Sequence, residues 1–315
     1  MKNKNLPKLI VILGPTASGK TELAIKLAKK FNVEIVSADS RQVYKEMNIA
    51  TAKPWNFQFP IFNFQKRKDK FITVQGIPHY LIDVVYPNQE FNVALYKKMV
   101  LKAIRDIHRR GKIPFLVGGT GLYIKAIVDN IEFPKVPAQK KLREKLEKRS
   151  IKELFEIYKK LDPEGAKFIE RKNKRRLIRA IEVCQVTKKS FWQQRERGKS
   201  LFDILQIGMK LPKKELKKRV EKRTEKMFKT GLEREAKKLA KKYGWNISPL
   251  QTIGYREWKE YFEGKIDKNE VKNRIILHTI QFAKHQMTWF KKDKRINWIR
   301  NYQGAKKLIK KFLRK

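Results

Sequence analysis

Residues Leu9-Ile10-Val11-Ile12-Leu13 run without a break into Gly14-Pro15-Thr16-Ala17-Ser18-Gly19-Lys20-Thr21. An apolar run ending at G-x-x-x-x-G-K-[ST] leaves few folds open, because it reads as a buried parallel strand feeding a phosphate-binding loop. The glycines let the backbone curl until successive N–H groups point at phosphate oxygens. Lys20 adds a point charge, and Thr21 opens the next helix with a hydroxyl placed for Mg²⁺. That helix is expected over Glu22 to Lys30, with Leu23, Ala24, Leu27 and Ala28 on one face. The loop from Gly14 to Thr21 is therefore a site for a diphosphate or a longer phosphate chain. By itself it favours ATP or another nucleotide as ligand, as in kinases and NTPases.

The following hundred residues alternate between strand and helix patterns, as an α/β fold with a parallel sheet requires. Strands are expected over Val33–Asp39, Tyr80–Val85 and Lys112–Val117, and an amphipathic helix from Asn92 to Arg110 closed by Gly111. Between Pro54 and Pro78 lies an aromatic and basic stretch (Trp55, Phe57, Phe59, Phe62, Phe64, then Lys66 to Lys70), which reads as a loop-rich lid or an insertion. Pro134 and Pro137 bracket a linker, after which charged helical patterns continue to about Arg197. Ile207–Leu211 looks like a strand returning to the sheet, and helices follow to the C-terminus with breaks near Gly244, Pro249 and Gly254. The expected organisation is a P-loop core of parallel strands flanked by helices (1–133), an inserted helical domain (134–200), and core completion with basic C-terminal helices (201–315).

Composition narrows the partner. The 315 residues carry 77 Lys+Arg against 31 Asp+Glu, a formal net charge of +46, which points to a polyanion although lysine-rich composition also produces it. One cysteine, Cys184, excludes an intramolecular disulfide and sits in a helical pattern as a core thiol. The four histidines lack ligand spacing, so no structural zinc is expected. No apolar run approaches a membrane span and no signal-peptide core precedes the first strand, so a cytoplasmic protein is expected, and nothing in the sequence demands more than a monomer.

In an open parallel sheet, ligands bind beyond the carboxyl ends of the strands. The phosphate loop, Ser37-Ala38-Asp39-Ser40 and Gly118-Gly119-Thr120-Gly121 should therefore converge. Asp39 is either a general base or metal-linked group, or an N-cap for the next segment. Arg176 and Arg179 lie three apart on one helical face, and Arg219 and Arg223 lie four apart on a later helix. Either pair suits phosphate contacts or a solvated surface.

These blocks resemble the tRNA dimethylallyltransferases. The resemblance rests on Gly14–Thr21, Ser37–Tyr44, Met47–Pro54, His79–Asp83, Val117–Tyr123, Arg176–Val183, Arg219–Arg223, Gly231-Leu232, Gly254–Arg256 and Ala283–Phe290, in that order over roughly residues 8 to 298. It implies transfer of a dimethylallyl group from dimethylallyl diphosphate to N6 of the adenosine just 3′ of a tRNA anticodon. On that likeness Gly14, Pro15, Thr16, Ala17, Ser18, Gly19, Lys20 and Thr21 hold the pyrophosphate, with Mg²⁺ near Thr21. Thr16 and Arg223 act on the leaving group, and Asp39 is the catalytic carboxylate. Asp39, Ser40, Arg41, Gln42, Thr120, Arg175, Arg176 and Arg179 match positions that contact the tRNA anticodon loop. Two rival readings use the same loop: an ATP-dependent small-molecule kinase and an adenylate isopentenyltransferase acting on free nucleotides. Neither accounts for the ordered downstream blocks or the basic insert.

Overall fold

The computed structural model describes residues 6–54, 71–194 and 198–314. Most of the aromatic and basic stretch singled out in the sequence, residues 55–70, lies outside the described residues. The chain divides into two compact units, Met1–Ile127 with Leu201–Lys315, and Val128–Ser200.

The first unit is built on seven strands: β1 (Lys8–Leu13), β2 (Val33–Ala38), β3 (Phe71–Val74), β4 (Ile77–Tyr80), β5 (Ile113–Gly118), β6 (Asp203–Met209) and β7 (Ile296–Ile299). They form one sheet in the order β3-β4-β2-β5-β1-β6-β7, parallel throughout except for the β3–β4 pair. β1 is buried along almost its whole length, as an unbroken Leu/Ile/Val run covered on both faces must be. β2 is buried throughout, with its Glu34 carboxylate paired to Arg110 and Lys112. The crossovers include α1 (Lys20–Ala28) and α2 (Val93–Arg109), the latter capped by Asn92 accepting from the Ala94 and Leu95 N–H groups. α3 (Gly121–Val128) follows β5.

One expected strand is replaced. Tyr80–Val85 is not a strand beyond Tyr80, because Leu81 and Asp83 adopt φ of 62° and 57°, left-handed values that no extended ladder accepts. The strand there is Ile77–Tyr80, joined to β3 by Gln75-Gly76 at φ of 51° and 78°. Two successive positive φ values are what a two-residue hairpin turn needs to match strand twist. Ile82 is buried in the main core without belonging to a strand.

The second unit contains α4 (Lys140–Glu147), α5 (Ile151–Leu161), the short α6 (Pro163–Ala166) and α7 (Lys174–Thr187). Leu154, Tyr158, Leu177, Ile181 and Cys184 fill its own core, so the cysteine is a buried thiol as its helical pattern suggests. Returning to the first unit, α8 (Lys213–Lys229), α9 (Leu232–Tyr243), α10 (Trp258–Phe262), α11 (Lys268–Phe290) and α12 (Tyr302–Leu313) complete the chain. α1 and α12 pack on the sheet through Leu23, Leu27, Ala305 and Ile309. A separate cluster joins Val43 and Met47 to Met227, Leu232, Tyr255 and Trp258, anchoring the loop after β2 on the C-terminal helices.

Candidate active site

Strand register sets the site. Leu13 pairs with Gly118 and with Gly208, and Ala38 pairs with Gly118, so the loops leaving β1, β2 and β5 start level at one edge of the sheet. Gly118 permits this closeness, since a Cβ there would stand 2.1 Å from the Ala38 carbonyl oxygen. Of the three segments expected to converge, all three do.

The phosphate loop has the curled backbone its glycines promise, with Gly19 at φ 85°. Ala17 also takes a left-handed φ of 60°, which costs a residue bearing a Cβ about 1 kcal/mol. The Lys20 ammonium donates to the Pro15 carbonyl at 3.2 Å, folding back over the loop. Burial brings it down to about 8, with the Asp39 carboxylate opposing and Arg223 reinforcing the shift. From α8, Arg223 Nη1 donates to Thr16 Oγ1 at 3.1 Å and Arg219 Nη1 reaches the Ser18 carbonyl at 3.4 Å. Both arginines thus belong to the loop. Burial also holds the Arg223 guanidinium below its usual value, partly offset by Asp39. Two desolvated cations, Lys20 and Arg223, converge here with no carboxylate bonded to either among the described residues, which is the electrostatic signature of an anion site.

Asp39 fills the capping role that its position offered. Its Oδ1 accepts the Arg41 N–H at 2.8 Å and the Gln42 N–H at 3.3 Å, capping the turn that follows β2. Its Oδ2 makes no protein hydrogen bond among the described residues. Thr120 joins from the β5 loop: its Oγ1 accepts the Ser40 N–H at 3.0 Å and its own N–H donates to the Ala38 carbonyl at 3.1 Å. Gln42 is engaged internally, its Oε1 accepting from Ser37 Oγ and its Nε2 donating to the Thr51 and Ala52 carbonyls. Arg41 lies within electrostatic reach of Tyr44 and Tyr123. Beneath Asp39, the Tyr96 and Tyr123 rings stack with centroids 3.8 Å apart, and Tyr96 Oη donates to the Ser37 carbonyl.

Several supporting groups had no role assigned from the sequence. Gln286 on α11 accepts the Thr16 N–H at 2.8 Å through Oε1 and donates Nε2 to the Gly119 carbonyl at 2.8 Å. One buried amide thereby ties the phosphate loop to the β5 loop. A turn later, the Trp289 indole lies so close to Gly121 that a Cβ there would meet it at 2.4 Å. Glu235 on α9 accepts the Asn48 and Ile49 N–H groups and the Tyr255 hydroxyl. Lys53, fully buried, donates to the Tyr44 carbonyl, Asn48 Oδ1 and Asp83. The sequence signals for Gln286 are its place in the Ala283–Phe290 block and its polar side chain among the buried positions of a long helix.

In the second unit the arginines of α7 separate. Arg179 pairs with buried Glu182 and donates to the Val136 carbonyl at 3.0 Å, stapling the proline-bracketed linker to the helix. Arg143 holds the same carboxylate in a forked pair at 2.8 Å, and together these donors keep Glu182 below the usual carboxylate range despite burial. The Arg176 guanidinium makes no ion pair among the described residues and lies in electrostatic reach of Tyr158. Arg175 is exposed at the start of α7.

Residues 42–293 match the profile of the family described as IPP transferase, and residues 7–67 match isopentenyl transferase. The tRNA dimethylallyltransferase of Microcystis aeruginosa is 43% identical over 299 residues, spanning 95% of this chain and 90% of the relative. That of Bacillus cytotoxicus is 38% identical over 312 residues, spanning 97% and 94%. The crystal structure of the tRNA delta(2)-isopentenylpyrophosphate transferase of Staphylococcus epidermidis superposes with a TM-score of 0.67 at 34% identity, covering 98% of this chain and 99% of the other. A eukaryotic dimethylallyltransferase captured acting on tRNA gives a TM-score of 0.74 at 30% identity, covering 90% and 69%.

Proposed function

The chain belongs to the IPP transferase family, and from that premise we propose that it moves a dimethylallyl group from dimethylallyl diphosphate to N6 of the adenosine 3′-adjacent to a tRNA anticodon. The observation that carries the mechanism is the juxtaposition of a cationic phosphate cradle with a carboxylate whose outer oxygen is unengaged. The loop N–H groups, Lys20 and Arg223 bind the diphosphate, and Thr16 adds its hydroxyl. N6 attacks C1 of the allyl group as the C1–O bond breaks, and the electron pair leaves on pyrophosphate. The cradle stabilises that charge most when it is fully developed, which lowers the barrier rather than merely the KM. Oδ2 of Asp39 takes the proton that N6 gives up, while Oδ1 stays fixed by the Arg41 and Gln42 N–H groups.

Mg²⁺ fits this donor set in a limited way. Among the described residues no group of three or more His, Cys, Asp or Glu side chains could cage a metal. A single hydroxyl beside a diphosphate suits an ion that takes most of its oxygens from phosphate and water. Thr21 would hold it, and it would supply charge neutralisation at the leaving group.

The reading is tested by incubating the protein with Mg²⁺, dimethylallyl diphosphate and unmodified tRNA, then digesting the tRNA for mass spectrometry, with ATP and free AMP as alternative substrates. Prenylated adenosine in tRNA alone is expected. Prenylated AMP, or ATP turnover without tRNA product, overturns the assignment.

A further inference from the structure

Within the unit Val128–Ser200, the rings of Phe168 and Trp192 stack with centroids 4.9 Å and planes 15° apart, yet they remain 57% and 39% exposed. A lone exposed apolar side chain needs no explanation, whereas two stacked rings present one continuous aromatic face to solvent.

The pair is built rather than incidental. Asp162 is 3% exposed and organises both segments that carry the rings. Its Oδ1 accepts the Gly165 N–H at 2.9 Å, capping α6, and the Phe168 N–H in turn donates to the Gly165 carbonyl. Its Oδ2 accepts the Trp192 N–H at 3.2 Å, the Ser190 hydroxyl at 2.8 Å and the Tyr158 hydroxyl at 2.9 Å. The rings are thus fixed through one buried carboxylate before any ligand arrives, and such preorganisation reduces the ordering cost of binding.

Charge indicates what the face receives. Residues 167–176 hold six Lys or Arg and one acidic residue, Glu170, and Lys188-Lys189 precede Trp192 closely in the chain. Lys172, Lys188 and Lys189 have no acidic partner among the described residues. Flat aromatic surface whose rings are neighboured in the chain by cations suits unpaired nucleobases, which stack on rings while phosphates are drawn to the charges. A protein interface wants about 800 Å² on each partner, far more than two ring faces offer.

We propose that Phe168 and Trp192 form a stacking platform for one unpaired base of the tRNA substrate, an inference that rests on the tRNA reading above. The test compares the full-length wild type with Phe168→Ala, Trp192→Ala, Trp192→Leu and Trp192→Phe. Equilibrium tRNA binding is measured between about 50 and 200 mM salt, alongside kcat and the KM of each substrate. Both alanine variants should bind tRNA about five- to a hundredfold more weakly, the range expected for loss of one base stack. Their kcat and their KM for dimethylallyl diphosphate should be unchanged, as should the slope of log affinity against log salt. Trp192→Leu keeps apolar bulk without a ring and should fail like alanine, whereas Trp192→Phe should bind like wild type. Unchanged affinity in the alanine variants, a leucine variant as good as wild type, or an altered salt slope overturns the platform. So does a wild-type dimer in sedimentation that these substitutions dissolve without affecting tRNA. Wild type that binds no tRNA refutes the functional reading itself, so the two failures are distinct.

Discussion

Replacing Lys20 with methionine is expected to stabilise the ligand-free protein and to abolish its response to a diphosphate. Burial brings the Lys20 ammonium from 10.5 to about 8. One unit of pKa difference corresponds to about 1.4 kcal/mol, so keeping this cation in the folded chain at neutral pH costs up to about 3 kcal/mol. Its residual exposure screens part of that, and its bond to the Pro15 carbonyl would be lost, leaving a net gain of roughly 1–2 kcal/mol for methionine. The sign follows from linkage. Below about 8 both states hold the proton and the penalty is fully present; between 8 and 10.5 only the unfolded chain keeps it, so wild-type stability rises with pH and the penalty fades. Urea unfolding of both proteins at neutral pH and near pH 10, with and without pyrophosphate and Mg²⁺, measures each part. The variant should unfold at higher urea at neutral pH, the gap should narrow near pH 10, and pyrophosphate should raise the midpoint of wild type alone. A variant less stable than wild type at neutral pH, or stabilised equally by pyrophosphate, refutes the idea that Lys20 is held desolvated in readiness for an anion.

Asp39→Asn keeps the carbonyl oxygen that caps the turn but cannot take a proton; single-turnover rates should fall roughly two to four decades while tRNA affinity persists, and a parallel loss of both would remove Asp39 as base. Arg179→Ala should lower stability in thermal unfolding, because it leaves Glu182 with fewer donors and frees the Val136 carbonyl. Arg176→Ala should instead leave stability unchanged and reduce the salt slope of tRNA binding by about one, an unaltered slope making it a solvated charge. His79 has a buried Nε2 with no hydrogen-bond partner among the described residues, and burial brings its imidazole down to about 4. As pH falls from 6.5 towards 4 the unfolded chain takes a proton that the native state refuses, so stability should drop by up to about 3 kcal/mol. His79→Gln should flatten that slope, and equal slopes in urea titrations would contradict it.

Much of the core was legible because its signals are local. The apolar run of β1, the glycine spacing and the face of α1 are neighbours in the chain, so residues 9–28 declare strand, loop and helix together. The β3–β4 hairpin was not legible. Leu81, Ile82, Val84 and Val85 look like a strand, yet positive φ at Leu81 and Asp83 makes a turn of them that buries Leu81 and Ile82, and burial and backbone shape are separable properties. Asp39 was read as base or cap, and the structure lets one carboxylate cap through one oxygen and leave the other for chemistry.

The sequence by itself determined that a loop of the phosphate-binding pattern follows β1 and that the core strands run parallel, since those properties follow from short-range spacing and periodicity. It also carried the ordered family blocks. Tertiary structure decided how distant side chains meet at the site, although the family likeness had already named Arg223. Gln286 reaches Thr16 across 270 residues, and Arg223 reaches it across 207. It also separated Arg179, committed to Glu182, from Arg176 on the same helix. Helical spacing places two arginines on one face, but only the packed fold brings a buried carboxylate to one of them.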